Sequence, residues 1–127
     1  MLITNNPLLG EHPPESLSIQ WVDGDYGDVL FAVRDKVHRG HRLLSHPLAG
    51  SIKPNETPFR TVAVSETAAA MDVDSLRLIE EAILLWQRTV PRRGLGAESS
   101  PELRRSFAML DLDLLGLSEE KGVISCG

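Results

Sequence analysis

The sequence predicts a small, single α/β domain over residues 1–127, with a three- to four-stranded sheet and about three helices. Three short segments, at 1–4, 17–22 and 60–65, have the alternating or β-branched apolar composition typical of strands. Two longer segments, 72–90 and 101–115, repeat apolar residues at the three- and four-residue spacing of a helix. Strands mixed with helices in this order are typical of a domain in which helices cover a sheet.

The first third of the chain predicts two strands separated by a loop. Residues 1–4 are apolar and end at Asn5-Asn6-Pro7, which favours a turn. Residues 7–16 contain three prolines and one glycine, so we expect a loop there. Residues 17–22 then alternate apolar and polar side chains, which predicts a strand followed by a turn at 23–25.

A helix is expected over residues 28–39. Its apolar residues recur near helical spacing, and Gly40 stands where a helix commonly ends. A strand is the competing interpretation, because 29–33 is an unbroken apolar run. Residues 41–58 contain three prolines and one glycine, so they are expected to form a long loop before the third strand.

Two helices are predicted in the second half, followed by a tail that frays or adds a short edge strand. The first begins with Asp72 or Asp74 as its cap and precedes Pro91. Residues 91–99 are expected to be a linker. The second helix begins with Ser100 as cap and Pro101 in its first turn, and ends at Gly116. Its expected core-facing stripe comprises Leu103, Phe107, Leu110 and Leu114.

The charge of the chain is negative overall but uneven. The formal net charge is −5, which argues against generic binding to nucleic acid or to an anionic membrane. Residues 34–60 nevertheless contain six lysines and arginines and only two acidic residues. The N-terminus lacks the basic and long apolar regions of a signal peptide, and Cys126 is the only cysteine. These features predict a cytoplasmic protein.

The basic segment offers an anion-binding site as its first functional interpretation. Gly50, Ser51 and Lys53 could present backbone amides, a hydroxyl and an ammonium group to a phosphate or carboxylate, and Arg34, Arg39 or Arg42 could add a forked contact. The alternative is that Ser51 and Thr57 bond to local backbone in turns while Lys53 is solvated.

A metal site is the second interpretation. His38, His41 and His46 lie close in sequence, and three histidines can hold zinc. Gly40 is expected to interrupt their geometry, and Arg39 and Arg42 repel a divalent cation. We therefore predict no metal ligands, and the sequence identifies no cofactor.

General acid–base catalysis is the third interpretation. Asp35 could orient the imidazole of His38 or His41. The alternative, which we favour, is a surface ion pair between Asp35 and Arg39, one helical turn away.

The two asparagines after the first strand suggest a related cleft. A polar turn at the carboxyl end of a strand is a common ligand site in α/β proteins, so Asn5 and Asn6 could line a cleft with the 46–57 loop. An Asx-turn before Pro7 is the alternative.

Several of these residues also carry a resemblance to a known family. Asn5-Asn6-Pro7, Val33-Arg34-Asp35 with His38 and Gly40-His41, and the later series His46-Pro47-Leu48, Gly50-Ser51, Lys53-Pro54 and Thr57-Pro58 together resemble the GrdX family. These small proteins are encoded in the gene clusters of glycine, sarcosine and betaine reductases of amino-acid-fermenting anaerobes. The resemblance covers about the first half of the chain. It implies a metabolic context and assigns no catalytic residue.

Two functions remain open from the sequence. The first is an accessory protein that binds a reductase-pathway partner or a small anionic metabolite through residues 34–60. The second is a small enzyme that uses the histidines and cations of that segment on a carboxylate or phosphate substrate. A homodimer through the leucine-rich helices is compatible with either function.

Overall fold

The computed structural model describes residues 1–48, 57–89 and 100–115 and confirms the α/β class. In chain order the elements are strand β1 (Leu2–Thr4), helix α1 (Pro7–Glu11), strand β2 (Ile19–Trp21), helix α2 (Tyr26–His38), strand β3 (Thr61–Ala63), helix α3 (Val73–Arg88) and helix α4 (Pro101–Leu115). None of the helices in these ranges is long and apolar enough to cross a membrane.

The three strands form a mixed sheet in the order β2-β1-β3. Strand β1 is central: it runs parallel to β2 and antiparallel to β3, so that Leu2 lies beside both Ile19 and Ala63. The outer edge of β3 is covered by residues 42–45, which the sequence predicted as loop. Leu43 forms a β-bridge with Val64, and the Leu44 amide donates to the Ala63 carbonyl at 2.8 Å.

Helices α2 and α3 cover one face of the sheet. Ile3 of β1 points to this side and joins a buried cluster that also contains Val33 of α2 and Ile79 of α3. The two helices approach closely because Gly27 has no side chain, and a Cβ atom there would lie 2.1 Å from the Trp86 ring. Trp86 is half-buried and packs against this cluster.

Helices α1 and α4 cover the opposite face. Because side chains alternate along a strand, Leu2 points away from Ile3 and joins the second cluster. The other buried members of this cluster are Leu8, Leu9, Phe59, Ala108 and Leu112. The chain therefore places an apolar layer on each face of a three-stranded sheet.

The prediction of a loop over 7–16 is wrong for residues 7–11, which form α1. Asn6 caps this helix by accepting a hydrogen bond from the Leu8 amide at 3.0 Å, and Pro7 occupies its first turn, where no amide is needed. Leu8 and Leu9 are buried, so packing stabilises a helix too short to be recognised from periodicity.

The boundaries of α2 and α3 follow from their caps. Asp25 and Asp28 form a capping box, which starts α2 two residues earlier than expected and excludes the competing strand. Gly40 follows the end of α2 with φ of +103°, as expected for a helix stop. Asp72 caps α3, which confirms the first of the two predicted caps.

Helix α4 has the predicted start but presents a different face to the core. The Ser100 hydroxyl accepts from the Leu103 amide at 3.1 Å, as expected for a cap. Two residues of the predicted core stripe, Leu103 and Leu110, are instead 44% and 40% exposed. Ala108, Asp111 and Leu112 are buried in their place. The contacts of Asp111, described below, account for this rotation of the helix.

Candidate functional site

A cluster of buried polar side chains lies where β1 ends, at the edge of an α/β sheet that commonly binds ligands. We call it the carboxyl-edge cluster. Its members come from the end of β1, the start of β3 and helix α4: Thr4, Asn5, Asn6, Arg60, Thr61 and Asp111. Each is at most 5% exposed, so every polar atom in the cluster needs a partner within the protein.

Asp111 is the centre of the carboxyl-edge cluster. Its Oδ1 accepts from the Thr61 amide at 3.0 Å and from Arg60 Nη1 at 3.4 Å. Its Oδ2 accepts from the Thr61 hydroxyl at 2.6 Å and from Asn6 Nδ2 at 2.9 Å. Four donors surround one carboxylate, which explains why α4 turns Asp111, rather than Leu110, towards the sheet.

The two threonine hydroxyls complete the cluster with a defined direction of donation. Because Thr61 gives its hydroxyl hydrogen to Asp111, the 2.7 Å contact between the hydroxyls of Thr4 and Thr61 has Thr4 as donor. The Thr4 oxygen in turn accepts from the Asn6 amide at 2.9 Å. Each of the two hydroxyls therefore both donates and accepts within the protein. Together they stabilise the end of β1 and the start of β3.

Asn5 and Asn6 both use their side chains to hold the fold together. Asn5 accepts from the Arg60 amide at 2.9 Å and donates to the carbonyls of Gly24 and Pro58 at 3.1 and 2.9 Å. Asn6 accepts from Leu8, which is the Asx-turn geometry, and donates to the Ala108 carbonyl at 2.8 Å. The cleft predicted beside them includes the 46–57 loop, of which residues 49–56 lie outside the described residues.

Arg60 is the most deeply buried of the described cations of the basic segment, with 4% exposure. Besides Asp111, its guanidinium donates to the backbone carbonyl of Pro47 at 3.0 Å through Nε and to that of His46 through Nη2. It therefore anchors residues 46–47 to the sheet and to α4. Nothing in the sequence distinguished Arg60 from the exposed cations of the same segment.

The three candidate histidines occupy different environments. His41 is buried, and its Nδ1 lies 2.7 Å from the Ser65 carbonyl, so Nδ1 carries the hydrogen and donates it. His38 and His46 are exposed, and His46 Nδ1 accepts from the Leu48 amide at 3.1 Å. Within the described ranges, no three His, Cys, Asp or Glu side chains come together as metal ligands.

The remaining candidates that the structure describes do not meet at one place. Arg34 lies over the Phe31 ring at 5.0 Å and 3.9 Å from a Glu80 carboxylate oxygen. Asp35 is exposed, and it pairs with neither Arg39 nor a histidine in the part of the chain described. Thr57 accepts from the Phe59 amide at 3.4 Å in a local turn. Gly50, Ser51 and Lys53 lie outside the described residues.

Three exposed basic side chains do remain near one another at the end of α2. We call His38, Arg39 and Arg42 the α2-end basic surface. Asp72 is nearby: the Ser75 hydroxyl and amide lower its pKa most, and the charge of Arg42 lowers it further. The sequence predicted the concentration of charge, and the structure places these three side chains on the outside.

A groove beside β2 is the second accessible feature, and the sequence did not predict it. We call it the β2 groove. It has a volume of about 510 Å³ and is lined by Pro7, Leu9, Gly10, Glu11, Pro13, Ile19 and Trp21. Trp21 is 47% exposed and lies against Gly10, where a Cβ atom would meet the indole ring at 3.1 Å.

Comparison with known proteins gives one family-level match. A family model described as GrdX-like protein matches residues 1–118. No curated protein and no solved structure matches the chain. The family match extends beyond the motifs of the first half and includes α4, with Asp111.

Proposed function

Because the chain belongs to the GrdX-like family, we propose that it is a cytoplasmic accessory protein of glycine, sarcosine or betaine reductase metabolism. In this proposal it acts by binding an acidic surface of a pathway protein through the α2-end basic surface. The metabolic context comes from the family resemblance. The binding role is argued from the distribution of buried and exposed groups in residues 34–60.

The observation that carries the proposal is the division of this segment into inward and outward side chains. His41, Thr57 and Arg60 are buried and bonded to the protein itself. Arg39 and Arg42 are exposed, and within the described ranges neither forms a direct ion pair, although the charge of Arg42 acts on Asp72. The outward groups are therefore available to a partner, whereas the inward groups maintain the fold.

The chemistry of the exposed groups fits a carboxylate-bearing surface. Guanidinium groups form forked hydrogen bonds with carboxylates, and a local positive patch steers an acidic partner towards one side of an otherwise acidic protein. A macromolecular partner is favoured over a small metabolite, because the surface is the outside of a helix end and small ligands bind in concave sites.

Acid–base catalysis has less support from the same contacts. His41 Nδ1 bonds to a backbone carbonyl rather than to a carboxylate, and Asp35 is exposed and bonds to no histidine within the described residues. The predicted pair of Asp35 with a histidine therefore does not form the arrangement in which an acidic residue orients a histidine base towards a substrate.

The test is binding of the full chain to purified components of the reductase, measured by calorimetry. The variant Arg39→Gln/Arg42→Gln should weaken binding by about tenfold, since each exposed charge contact contributes up to about 1 kcal/mol. The control Arg77→Gln/Arg88→Gln removes two exposed charges from α3 and should leave binding unchanged. Binding should also weaken as salt increases.

A thermal-shift panel tests the alternative that the α2-end basic surface binds a small metabolite rather than a protein. It contains inorganic phosphate, acetyl phosphate, glycine, sarcosine and betaine. A stabilisation by one of these that disappears in Arg39→Gln/Arg42→Gln would assign the surface to a small molecule. If neither the reductase components nor these compounds bind the wild-type chain, the proposed function is wrong.

A further inference from the structure

Strand β2 is the open edge of the sheet in the described part of the chain. The opposite edge, at β3, is covered by residues 42–45, and β1 lies between the two. Edge strands present unpaired backbone amides and carbonyls, which another extended chain can pair with. The chain therefore closes one edge of its sheet and leaves the other accessible.

The direction of the backbone groups of β2 follows from two hydrogen bonds to β1. The Ser18 carbonyl accepts from the Leu2 amide at 2.9 Å, and the Val22 amide donates to the Thr4 carbonyl at 2.8 Å. Because successive residues of a strand face opposite edges, Ile19 and Trp21 direct their amides and carbonyls away from β1. No described residue bonds to these groups.

The β2 groove lies beside this row of backbone groups. Ile19 and Trp21 belong to both features, so an added strand would bring its own apolar side chain to the groove. Gly10 keeps the floor of the groove close to the indole of Trp21. Main-chain pairing next to an apolar pocket is the arrangement by which proteins recognise extended peptides.

The charge around the groove selects among possible occupants. Residues 1–33 contain five acidic residues and no lysine or arginine, and Glu11 lines the groove itself. A segment that carries lysine or arginine beside its apolar residues is electrostatically complementary to this surface. A second copy of this chain would offer its own β2 segment, residues 18–22, which carries no lysine or arginine to complement Glu11.

We propose that the β2 groove docks an extended segment of a partner protein, which adds as a strand next to β2. The segment places an apolar side chain against Trp21 and carries basic residues that face Glu11. This surface is separate from the α2-end basic surface, and the proposal does not depend on the proposed function.

The probe is a blocked peptide of sequence Lys-Val-Thr-Val-Thr-Val-Lys, and the readouts are tryptophan fluorescence, to which Trp21 and Trp86 both contribute, and backbone amide shifts of the full-length chain. We expect a Kd below about 1 mM, with shifts centred on residues 7–13 and 18–22. Trp21→Ala should abolish binding, whereas Leu85→Ala, which truncates an exposed side chain of α3, should not change it.

A pair of substitutions at one position isolates the backbone pairing. Ile19→Ala shortens the side chain but keeps the outward backbone N–H. Ile19→Pro also replaces the isoleucine side chain, and it removes that N–H. Proline is tolerated on edge strands where its nitrogen faces solvent, so the fold should persist, which circular dichroism checks. We expect Ile19→Pro to bind about fivefold more weakly than Ile19→Ala, owing to the lost hydrogen bond.

Several outcomes would overturn the proposal. The first is equal binding of the acidic peptide Glu-Val-Thr-Val-Thr-Val-Glu, and the second is no binding of the basic peptide at millimolar concentration. Light scattering that detects a wild-type dimer lost in Ile19→Pro would assign the edge to a second copy. A chain ending at Leu115 that binds the peptide when the full chain does not would assign the groove to residues 116–127.

Discussion

Thr61 donates to Asp111 twice, through its backbone amide at 3.0 Å and through its hydroxyl at 2.6 Å. The two residues lie 50 positions apart, at the start of β3 and near the end of α4. Helix α4 is therefore attached to the sheet by a buried carboxylate as well as by apolar side chains, and this contact sets which face of the helix is buried.

The first prediction concerns this carboxylate. Asp111→Ala should lower the free energy of unfolding by about 3–5 kcal/mol, because it leaves the Arg60 guanidinium buried without its partner. Urea denaturation measures the change. The control Asp113→Ala removes an exposed carboxylate two positions away and should change stability by less than about 0.5 kcal/mol. Equal effects of the two substitutions would contradict the buried pair.

The second prediction concerns the face that α4 buries. Leu112→Ala should cost about 2–5 kcal/mol, since Leu112 is in the core, whereas Leu110→Ala should be within about 0.5 kcal/mol of wild type. The apolar stripe predicted from the sequence implies the opposite, with Leu110→Ala more destabilising than Leu112→Ala. The two urea midpoints therefore decide between the periodicity of the sequence and the rotation seen in the structure.

The third prediction concerns Gly40, which follows α2 with a positive φ angle. Gly40→Ala should destabilise the protein by at least about 2 kcal/mol, because a Cβ atom would lie 1.9 Å from the Ala69 carbonyl oxygen. Thermal and urea unfolding measure the loss. Gly10→Ala is the matched control: a Cβ there meets a side chain that can move, and we expect a change within about 1 kcal/mol.

The fourth prediction concerns pH. The Ser75 hydroxyl and amide donate to Asp72 Oδ2 at 2.6 and 3.0 Å and lower the pKa of Asp72 below 3.8. A lowered pKa in the folded state means that the stabilisation is complete above about pH 4 and is lost as the pH falls through the folded-state value.

Ser75→Ala tests this assignment. It should raise the pKa of Asp72 towards 3.8, as measured by carboxyl NMR titration. The free energy of unfolding of the variant should also fall less than that of the wild type as the pH is lowered below 4. Ser106→Ala is a suitable control, because its hydroxyl bonds to a helix carbonyl far from Asp72 in sequence. An unchanged Asp72 titration in Ser75→Ala would show that another group lowers the pKa.

The elements that the sequence predicted correctly are those whose signals are local. Helix α3 has regular apolar spacing and a capping aspartate at its start, and Gly40 marks the end of α2. Helix α1 was missed because it has five residues and two of its signals, Pro7 and Gly10, usually indicate a loop. Periodicity cannot detect one turn of helix that is stabilised by the packing of Leu8 and Leu9.

The polar contacts could not be predicted because they join distant parts of the chain. Asn5 and Asn6 stood out in the sequence, but their partners include Arg60 and Asp111. The one available signal was Asp111 itself. It lies four residues after Phe107, so it faces the same side of the helix as the predicted core stripe. A carboxylate in that position implies a buried donor on another element, and the sequence does not identify which one.

The covering of β3 by residues 42–45 has a consequence for assembly. Head-to-tail stacking of sheets into a filament requires two open edges on each molecule. The described part of this chain offers one, at β2. Association through the edges of the described strands therefore stops after a single addition, so its stoichiometry is one to one and open-ended fibre growth through these edges is blocked.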